Sequence, residues 1–575
     1  MKHEKVAPGL MCAMQDYGER GRDALMSRGS DMGIMSLSGV QKEPKIVVFF
    51  RCRNQDKFDD LSAQGIVVNE IQGTVRTAYL TLPQIETLSE HPAVRRISPT
   101  RSALPLLDVA EPFVKLPEFR NRTGLNGKGV IVGIVDSGID PKHPAFAGRI
   151  LQIWDQTIPG PGVAEGGFGL ELRGPELTAS RDKNGHGTHV AGIAAGNDTN
   201  LAGIASAADI VFVKTDFNTG HIAQAIKYIF RVAGKLDRPA VVNLSLGSHF
   251  DAHDGSDNLS TVIDEESGPG RIVCCAAGNE GDQNMHASAT IEAEASKRIR
   301  FSVAAQSPGV VLNGWYSGKD KFEIQVESPG GVHTDLQGII EEGEHARAAQ
   351  LDDSFAVIST PGPSVVNGDH HFEVQLVGVT GQAPEAGNWK LMVRGTDVQN
   401  GRLDVWVTDF KSGTTCQFLD NVSEEMKIGS PGASTQAITI GSFTTRSKWT
   451  DIDGTPRRRS FTLDDISPFS SPGPLRNQSL KPDVAAPGAV IASALSADSD
   501  PGRDLILSKT MRMDAGTSMA SPFVAGLVAL LLQREPKLTP EEIKKKLKAA
   551  AKIPNRPLNS FSNEWGFGLV DASLL

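Results

Sequence analysis

Cysteine is scarce in this chain: five among 575 residues, an odd number with neither paired nor metal-binding spacing. We therefore expect free thiols, no metal centre, no cofactor and a reducing, cytoplasmic location. Cys274 and Cys275 are adjacent in an apolar stretch, where buried packing is the expected role. Long apolar runs are missing too. Residues 1–21 carry charges and glycines throughout, so we expect neither a signal peptide nor a membrane partner.

A strong charge of one sign is also lacking. Lys and Arg number 58 against 68 Asp and Glu, and the net charge of -10 gives no electrostatic case for a nucleic-acid partner. Two short basic runs, Arg457 to Arg459 and Lys544 to Lys546, are interpreted as a solvated loop and a solvated helix face. With 39% hydrophobic residues and 59 glycines, the chain is expected to be globular, rich in turns and divided into several domains.

The N-terminal region predicts a tail and a small domain. Residues 1–44 show no periodicity and are interpreted as a flexible tail. Residues 45–104 show the order βαββαβ, which is typical of a ferredoxin-like α+β unit. Its predicted strands are Lys45–Arg51, Gly65–Ile71, Val75–Leu82 and Val94–Ser98, and its predicted helices are Asp56–Gln64 and Pro83–His91.

The remainder alternates between an α/β and an all-β pattern. Residues 105–283 and 430–575 carry continuous apolar strands and intervening helices, which predict a parallel sheet covered on both faces. The predicted elements are strands 129–135, 209–214, 240–246, 271–276 and 437–443, with helices at 221–236 and after Thr539. Residues 284–429 contain only short strands separated by Gly, Pro and Asn turns, so they predict an inserted β-sandwich or jelly-roll domain.

Residues 515–528 organise the rest of the chain. The run from Phe523 to Leu532 has no polar face and predicts a fully buried helix. Ser518 precedes that run, so it is expected at the helix N-terminus, where unpaired N–H groups and the helix dipole favour negative charge. Pro522 is expected in the first turn, where its missing N–H has no partner inside the helix.

Three further motifs supply partners for that serine. A serine becomes a nucleophile when a base takes its proton and a third group orients the base. Asp136 ends a predicted strand, and His186 lies between Gly185 and Gly187, which are expected to leave it exposed at a helix start. Asn279, within residues 276–281, has a side-chain N–H that can donate to an oxyanion. In parallel sheets such sites form at the carboxyl ends of strands.

In these blocks the chain resembles subtilisin-like serine proteases. The matching blocks are VDSGID (135–140), HGTHVAG (186–192), VVNLSLG (241–247), AAGNEG (276–281), KPDVAAPG (481–488) and GTSMASP (516–522). The order Asp, His, Ser is that of subtilisin itself. The resemblance implies a serine endopeptidase acting on polypeptides through an acyl-enzyme intermediate.

The resemblance also implies a role for individual residues. Asp136 would orient the base, His186 would act as general base and acid, Ser518 would be the nucleophile, and Asn279 would complete the oxyanion hole. Substrate would pair with Ser245, Leu246 and Gly247 as an edge strand, and would contact Ala277, Gly278 and Glu280. Glu280, near the rim of the pocket for the residue before the scissile bond, would favour Lys or Arg there.

Resemblance extends to the flanking domains. Residues 45–104 resemble the inhibitory pro-domain of the family, which would be a partner of its own enzyme and be removed by self-cleavage between Ser98 and Leu107, with Arg101 a candidate residue before the cut. The insert resembles the jelly-roll of clostridial germination proteases and, less closely, the P-domain of proprotein convertases. Ala145 replaces an acidic calcium ligand found in many members, so that calcium site is expected to be absent.

Two other functions stay open. A regulatory binding protein could use a protease scaffold with its pro-domain held in the cleft. A transpeptidase would use the same triad and resolve the acyl-enzyme with an amine instead of water.

Overall fold

The computed structural model describes residues 2–8, 10–12, 14, 34–35, 45–62, 64–69, 73–99, 104–105, 114–179, 181–198, 201–340, 346–379, 382–410 and 415–575. The backbone forms two compact parts. The first comprises Met1–Ser102, His249–Ala252 and Gln283–Glu424. The second comprises Ala103–Ser248, His253–Asp282 and Glu425–Leu575.

The second part is built on a ten-stranded sheet whose central strands are all parallel. The predicted α/β arrangement is therefore confirmed. An antiparallel strand closes each edge of this sheet. In spatial order the strands are Ala551–Lys552, Leu569–Val570, Val484–Ala489, Ile438–Thr444, Arg271–Ala276, Ala240–Leu244, Ile131–Asp136, Asp209–Lys214, Ile150–Asp155 and Leu170–Leu172.

Helices and smaller strands surround this sheet. The helices are Leu116–Thr123, His186–Ala195, Thr219–Lys235, Asn258–Glu266, Thr517–Arg534 and Pro540–Ala549, with 3-10 turns at Pro144–Phe146, Gly174–Ala179, Arg503–Leu505 and Ala572–Leu574. The small strands are Leu104–Pro105 with Leu246–Gly247, Asn197–Asp198 with Leu201–Ala202, Lys448–Thr450 with Pro456–Arg458, and Ile491–Ala494, Met511–Asp514 and Ile506–Ser508.

The helix Thr517–Arg534 is the buried centre of this part. Every residue from Thr517 to Leu532 is buried, and the apolar ones join the core that the sheet covers. The prediction of a helix without a polar face is confirmed. Such a helix is stabilised by packing rather than by amphipathic pairing with solvent.

The expected place of Pro522 was wrong. The helix begins at Thr517, so Pro522 lies in its second turn. There the missing N–H removes a bond to the Ser518 carbonyl, four residues earlier. The Ser245 hydroxyl takes that place, because its Oγ donates to Ser518 O at 2.7 Å. A side chain from the residue between the strands Ala240–Leu244 and Leu246–Gly247 thus satisfies the carbonyl that proline leaves without a donor.

From Lys45 to Pro99 the N-terminal domain of the first part has the order βαβαβ, one strand fewer than the predicted βαββαβ. The strands Arg96–Pro99, Lys45–Arg51 and Val75–Leu80 lie side by side and antiparallel, with Ile34–Met35 on the edge of Lys45–Arg51. The predicted strand 65–71 is reduced to one bridge between Val68 and Ala78. The helices are short, at Asp59–Ser62 and Leu82–Glu90, and a 3-10 turn spans His3–Lys5.

The beginning of the chain is not a flexible tail. Val6, Leu10, Met11 and Cys12 are buried in the apolar core of the N-terminal domain, and Val6 bridges Ile97. Ala7, Leu10, Met11 and Met14 follow helical spacing, but a run of eight residues is too short for periodicity alone to predict a helix. The rest of the predicted tail, apart from residues 14 and 34–35, lies outside the described residues.

The insert forms a sandwich of two antiparallel sheets. Both sheets contribute to one apolar core, which includes Phe301, Leu312, Phe372, Trp389 and Val405. The six-stranded sheet contains His286–Thr290, Arg402–Asp409, Val310–Tyr316, His370–Gly378, Ser354–Ser359 and Arg347–Leu351. The four-stranded sheet contains Lys321–Glu327, Gly387–Asp397, Ser296–Val303 and Cys416–Phe418.

The two ends of the insert are hydrogen-bonded to each other. Ser423 N–H donates to His286 O at 2.9 Å, and Ser288 N–H donates to Asn421 O at 2.9 Å. The chain therefore leaves and returns at neighbouring points.

All five cysteines are buried, and none of them forms a disulfide within the described part of the chain. Cys274 and Cys275 lie inside the strand Arg271–Ala276, as the sequence predicted, and burial raises the pKa of Cys275 to about 12. Such thiols stay protonated and unreactive. None of the helices in the described part of the chain combines the length and apolar character needed to cross a bilayer.

Candidate active site

Asp136 and His186 meet at the carboxyl edge of the sheet. Asp136 is the last residue of Ile131–Asp136, and His186 is the first residue of His186–Ala195. His186 Nδ1 lies 2.6 Å from Asp136 Oδ1, which also accepts the Ser137 N–H at 2.7 Å. Because a carboxylate only accepts, Nδ1 carries the proton of the neutral ring and Nε2 is left as the basic nitrogen.

The two glycines beside His186 allow close approach rather than exposure. The prediction that they leave His186 exposed was wrong, since only 1% of its surface is accessible. A Cβ on Gly187 would lie 2.2 Å from Gly138 O and 3.0 Å from the Asp136 side chain. Gly185 has φ +85°, a left-handed conformation that starts the helix without strain in glycine. The glycines therefore let the helix start pack directly on the strand end.

Asp182 ties these elements together and was missed by sequence reasoning. It is fully buried, and its carboxylate accepts from Ser137 Oγ, Gly185 N, Thr188 N and Thr188 Oγ1 at 2.8–2.9 Å. Burial raises its pKa, and the hydrogen bonds oppose that shift. The sequence did contain an indication of this role, because Asp182 comes just before a predicted helix start, where a carboxylate can accept from unpaired N–H groups.

Ser518 is the second residue of the helix that packs against His186–Ala195. Its Oγ donates to Ser245 O at 3.1 Å, and Ser245 Oγ returns a bond to Ser518 O. Asn243 supports this pair, because its Nδ2 donates to Ser245 Oγ and its Oδ1 accepts from Ser521 Oγ. Sequence reasoning missed Asn243, although an amide inside the otherwise apolar strand Ala240–Leu244 could have indicated a buried polar contact.

Asn279 is fixed by Thr517, the residue before the serine. Asn279 Oδ1 accepts from Thr517 N at 2.9 Å and from Thr517 Oγ1 at 3.1 Å. Since a backbone N–H only donates, the amide oxygen is assigned to this side, and Nδ2 is directed away from Thr517. The structure thus brings Asn279 to the start of the Ser518 helix with its donor available on the opposite side.

The strand Leu246–Gly247 is an edge that pairs with an extended segment of the chain itself. Leu246 is opposite Pro105 and Gly247 is opposite Leu104, in antiparallel register. The paired segment runs from Leu104 to Pro105 toward Ser245, whose carbonyl receives the Ser518 hydroxyl. Whether a substrate uses the same edge stays a prediction.

The loop 276–281 uses most of its polar groups internally. Gly278 N donates to Thr517 Oγ1, and Gly278 O accepts from Thr517 Oγ1 and Ser471 N. Ala277 packs in a small apolar cluster with Ile428, Ala433 and Leu475. The backbone of Gly278 and the side chain of Ala277 are therefore used in holding the loop against the rest of the chain.

Glu280 is half-buried and already engaged. Its Oε2 accepts from Asn279 N at 2.7 Å and from Ser471 Oγ at 3.1 Å. A carboxylate held in this way cannot swing freely toward a ligand, which limits how strongly it can attract a cation.

The described residues contain no group of three His, Cys, Asp or Glu side chains that could hold a metal ion. Ala145 is fully buried within the turn Pro144–Phe146, and its methyl group cannot act as a ligand.

Comparison with known proteins finds a family match and several relatives. Residues 127–406 and 387–568 match the Subtilase family. The serine protease AprX of Bacillus subtilis (strain 168) is 25% identical over 492 residues, covering 84% of this chain and 75% of that protein. The minor extracellular protease Vpr of the same organism is 25% identical over 459 residues. That alignment covers 76% of this chain and 50% of Vpr, so the chain spans half of that relative's length.

One solved structure shows the shared fold. The CspB protease of Clostridium perfringens superposes with a TM-score of 0.66 at 24% sequence identity. The match covers 80% of this chain and 94% of that one.

Proposed function

This chain belongs to the subtilase family, and from that premise we propose that it is a serine endopeptidase that uses Asp136, His186 and Ser518 as its catalytic triad. The observation that carries the proposal is the 2.6 Å contact between His186 Nδ1 and Asp136 Oδ1 beside the helix that begins at Thr517. Orientation of a base by a buried carboxylate, next to a hydroxyl at a helix start, is the arrangement that activates serine.

The reaction follows from these positions. His186 Nε2 takes the Ser518 proton while Oγ attacks the carbonyl carbon of the scissile peptide. The imidazolium, stabilised by Asp136, returns the proton to the leaving amine, and the acyl-enzyme forms. In the second half, His186 takes a proton from water, which attacks the acyl carbon. The proton then returns to Ser518 Oγ, and the product with the new carboxyl terminus is released. The Ser518 hydroxyl must first leave Ser245 O, and a substrate N–H that binds this carbonyl would displace it.

Asn279 is proposed to donate Nδ2–H to the oxyanion. Asn279→Ala should reduce kcat by roughly 10²–10³, the range known for losing one oxyanion donor in subtilisin, with little change in KM. Steady-state kinetics on a peptide substrate provide the measurement. Asn477→Ala, at an exposed amide that bonds only Asp254 O and Ser479 N, is the control. Equal kcat in both variants would remove Asn279 from the oxyanion hole.

We propose that residues 45–104 act as an inhibitory pro-domain and that the chain cuts itself after them. The pairing of Leu104 and Pro105 with the edge strand supports this. We propose that Leu106 continues this register opposite Ser245 during self-cleavage, so that the bond between Leu106 and Leu107 meets Ser518. Arg101, the residue that the sequence favoured, lies outside the described residues and three positions before the paired segment. The pairing of Leu104 and Pro105 therefore favours Leu106, rather than Arg101, as the residue before the cut.

Glu280 is proposed to give a small preference for Lys or Arg before the scissile bond. Because its carboxylate is half-buried and shared with Ser471, Glu280→Gln should lower the Lys/Leu cleavage ratio by no more than about fivefold at low salt. Paired peptides that differ only at this position give the ratio. Glu564→Gln, at an exposed site, is the matched control. A ratio that stays the same in the Glu280 variant would assign the pocket a purely apolar preference.

A serine-reactive phosphonate probe tests the proposed function. It should label Ser518 in the processed protein, and prior addition of a peptide substrate should slow the labelling. A scaffold that only binds would remain unlabelled even after residues 1–106 are removed. A transpeptidase would be labelled, but added amine would appear in its products, which mass spectrometry detects. A reducing, cytoplasmic location is also proposed, supported by five buried thiols that form no disulfide among the described residues.

A further inference from the structure

The N-terminal domain contains a cavity that takes no part in the proposed catalysis. Its volume is about 790 Å³, within the range of sites that hold small molecules. The wall comes from three stretches of the first compact part: the chain start at Glu4 and Lys5, the N-terminal domain between Arg51 and Arg95, and the sandwich at Val365 and Val366.

The lining is strongly cationic. Among its described residues, Lys5, Arg51, Arg53 and Arg95 are positive, and Glu4 is the one acid. The chain as a whole is acidic, with a net charge of -10, so this concentration of cations is local. Lys5 is held in place, because its Nζ donates to His91 O at 3.0 Å. A solvated face explains most surface charges, but here the cations converge on one concave space.

A buried arginine lies beside Arg51, although it is not itself part of the cavity wall. Arg96 lies directly opposite Arg51 in the antiparallel pair, so the two side chains share one face of the sheet. Like charges in that position destabilise a sheet. Only 5% of Arg96 is exposed, and its Nη1 makes a long bond of 3.5 Å to Glu4 O. Burial, with the charge of Arg51 added, lowers the pKa of Arg96 to about 10.

Arg76, the other buried arginine of this domain, shows what a structural guanidinium looks like here. It donates to Gly73 O at 3.1 Å and Asn54 O at 2.8 Å, and it lies over the Phe58 ring. Arg96 has one weak contact instead, beside a second guanidinium. The charge of Arg96 is thus poorly compensated within the folded chain, and an anion bound by Arg51 in the cavity would act on it across the strand pair.

We propose that this cavity binds a small polyanion with clustered phosphate or carboxylate oxygens. Guanidinium groups match both kinds of oxygen through paired N–H donors. Occupation would relieve the repulsion between Arg51 and Arg96. It would also join the chain start, the N-terminal domain and the sandwich through one ligand, because all three line the cavity. A ligand that binds only the folded form stabilises it in proportion to its concentration.

Tripolyphosphate binding to the full-length Ser518→Ala protein tests the proposal. Titration calorimetry at low salt should show saturable binding, and the melting temperature should rise with ligand concentration. The double variant Arg53→Glu/Arg95→Glu changes two exposed rim residues, and it should bind at least roughly tenfold more weakly. Lys57→Glu, an equally exposed charge reversal outside the cavity, should bind like the parent.

One further variant and two further ligands test which residues and which anionic groups the cavity uses. Arg96→Met should reduce the ligand-induced rise in melting temperature, whatever its effect on the unliganded protein. Citrate and inorganic phosphate, tested in the same way, separate the two sources of anionic oxygen: tighter binding of citrate assigns a carboxylate ligand, and tighter binding of tripolyphosphate a phosphate ligand. No saturable binding of any of the three, or equal affinity in the double variant and the Lys57→Glu control, would overturn the proposal.

Discussion

Replacing the Ser518 hydroxyl by hydrogen should leave the fold unchanged and remove nearly all peptide hydrolysis. Alanine is a good helix former, so the buried helix Thr517–Arg534 should keep its start. What is lost is the nucleophile, and only the small residual rate from binding and the oxyanion donors should remain. Because the same serine would cut the chain, the variant should also stay intact.

Peptide hydrolysis and self-cleavage can both be measured on the same purified protein. On a denaturing gel the wild type should run as two pieces and Ser518→Ala as one, and N-terminal sequencing should place the new end at Leu107. Ser434→Ala, at a buried serine that bonds Asp264, is the control and should be processed normally. Full hydrolysis by Ser518→Ala would exclude the triad, whereas an intact wild type with full peptidase activity would exclude only the self-cleavage.

Asp136→Asn should lower kcat by about 10⁴ with little effect on KM, the scale found when this carboxylate is neutralised in serine proteases. Asp136 Oδ1 accepts both the Ser137 N–H and the His186 Nδ1 proton. An amide oxygen in that place keeps the ring orientation but lacks the charge that stabilises the imidazolium. The opposite orientation puts NH₂ against Nδ1 and forces the unproductive tautomer.

Asp155→Asn is the matched control for that variant. Asp155 is also a buried aspartate at the end of a parallel strand of the same sheet, two strands away from Asp136, where it bonds Thr157. It should affect stability rather than kcat. A comparable fall in kcat for both variants would mean that loss of a buried charge, and not loss of the triad carboxylate, slows the enzyme.

The sequence predicted the site well where chemistry and local pattern coincide. Asp136 follows a continuous apolar strand, and Ser518 precedes an apolar helix, so periodicity alone placed both at element ends. Parallel strands bring their carboxyl ends together, which is why residues distant in the chain could be assigned to one site. The contact between Asp136 and His186 agrees with that placement, whereas their catalytic roles came from the family resemblance and stay a prediction.

The sequence failed where a residue acts through a distant partner. Pro522 was misplaced because only the fold shows that Ser245 supplies the missing donor to Ser518 O. Asp182 was missed because its four donors come from both the strand end and the helix start. The burial of Val6 and Leu10 depends on a domain formed by residues 45–99, which no local window contains.

The joined ends of the sandwich set the order in which the chain can assemble. Strands Arg271–Ala276 and Ile438–Thr444 are neighbours in the central sheet, yet residues 283–424 separate them in sequence. Closing a flexible loop of that length costs about 4 kcal/mol of chain entropy. Once the sandwich has folded, the bonds from Ser423 to His286 and from Ser288 to Asn421 hold its two ends together, so the loop is already closed. We therefore expect the sandwich to fold before these two strands pair. The folding rate of the insert would then limit the rate at which the central sheet forms.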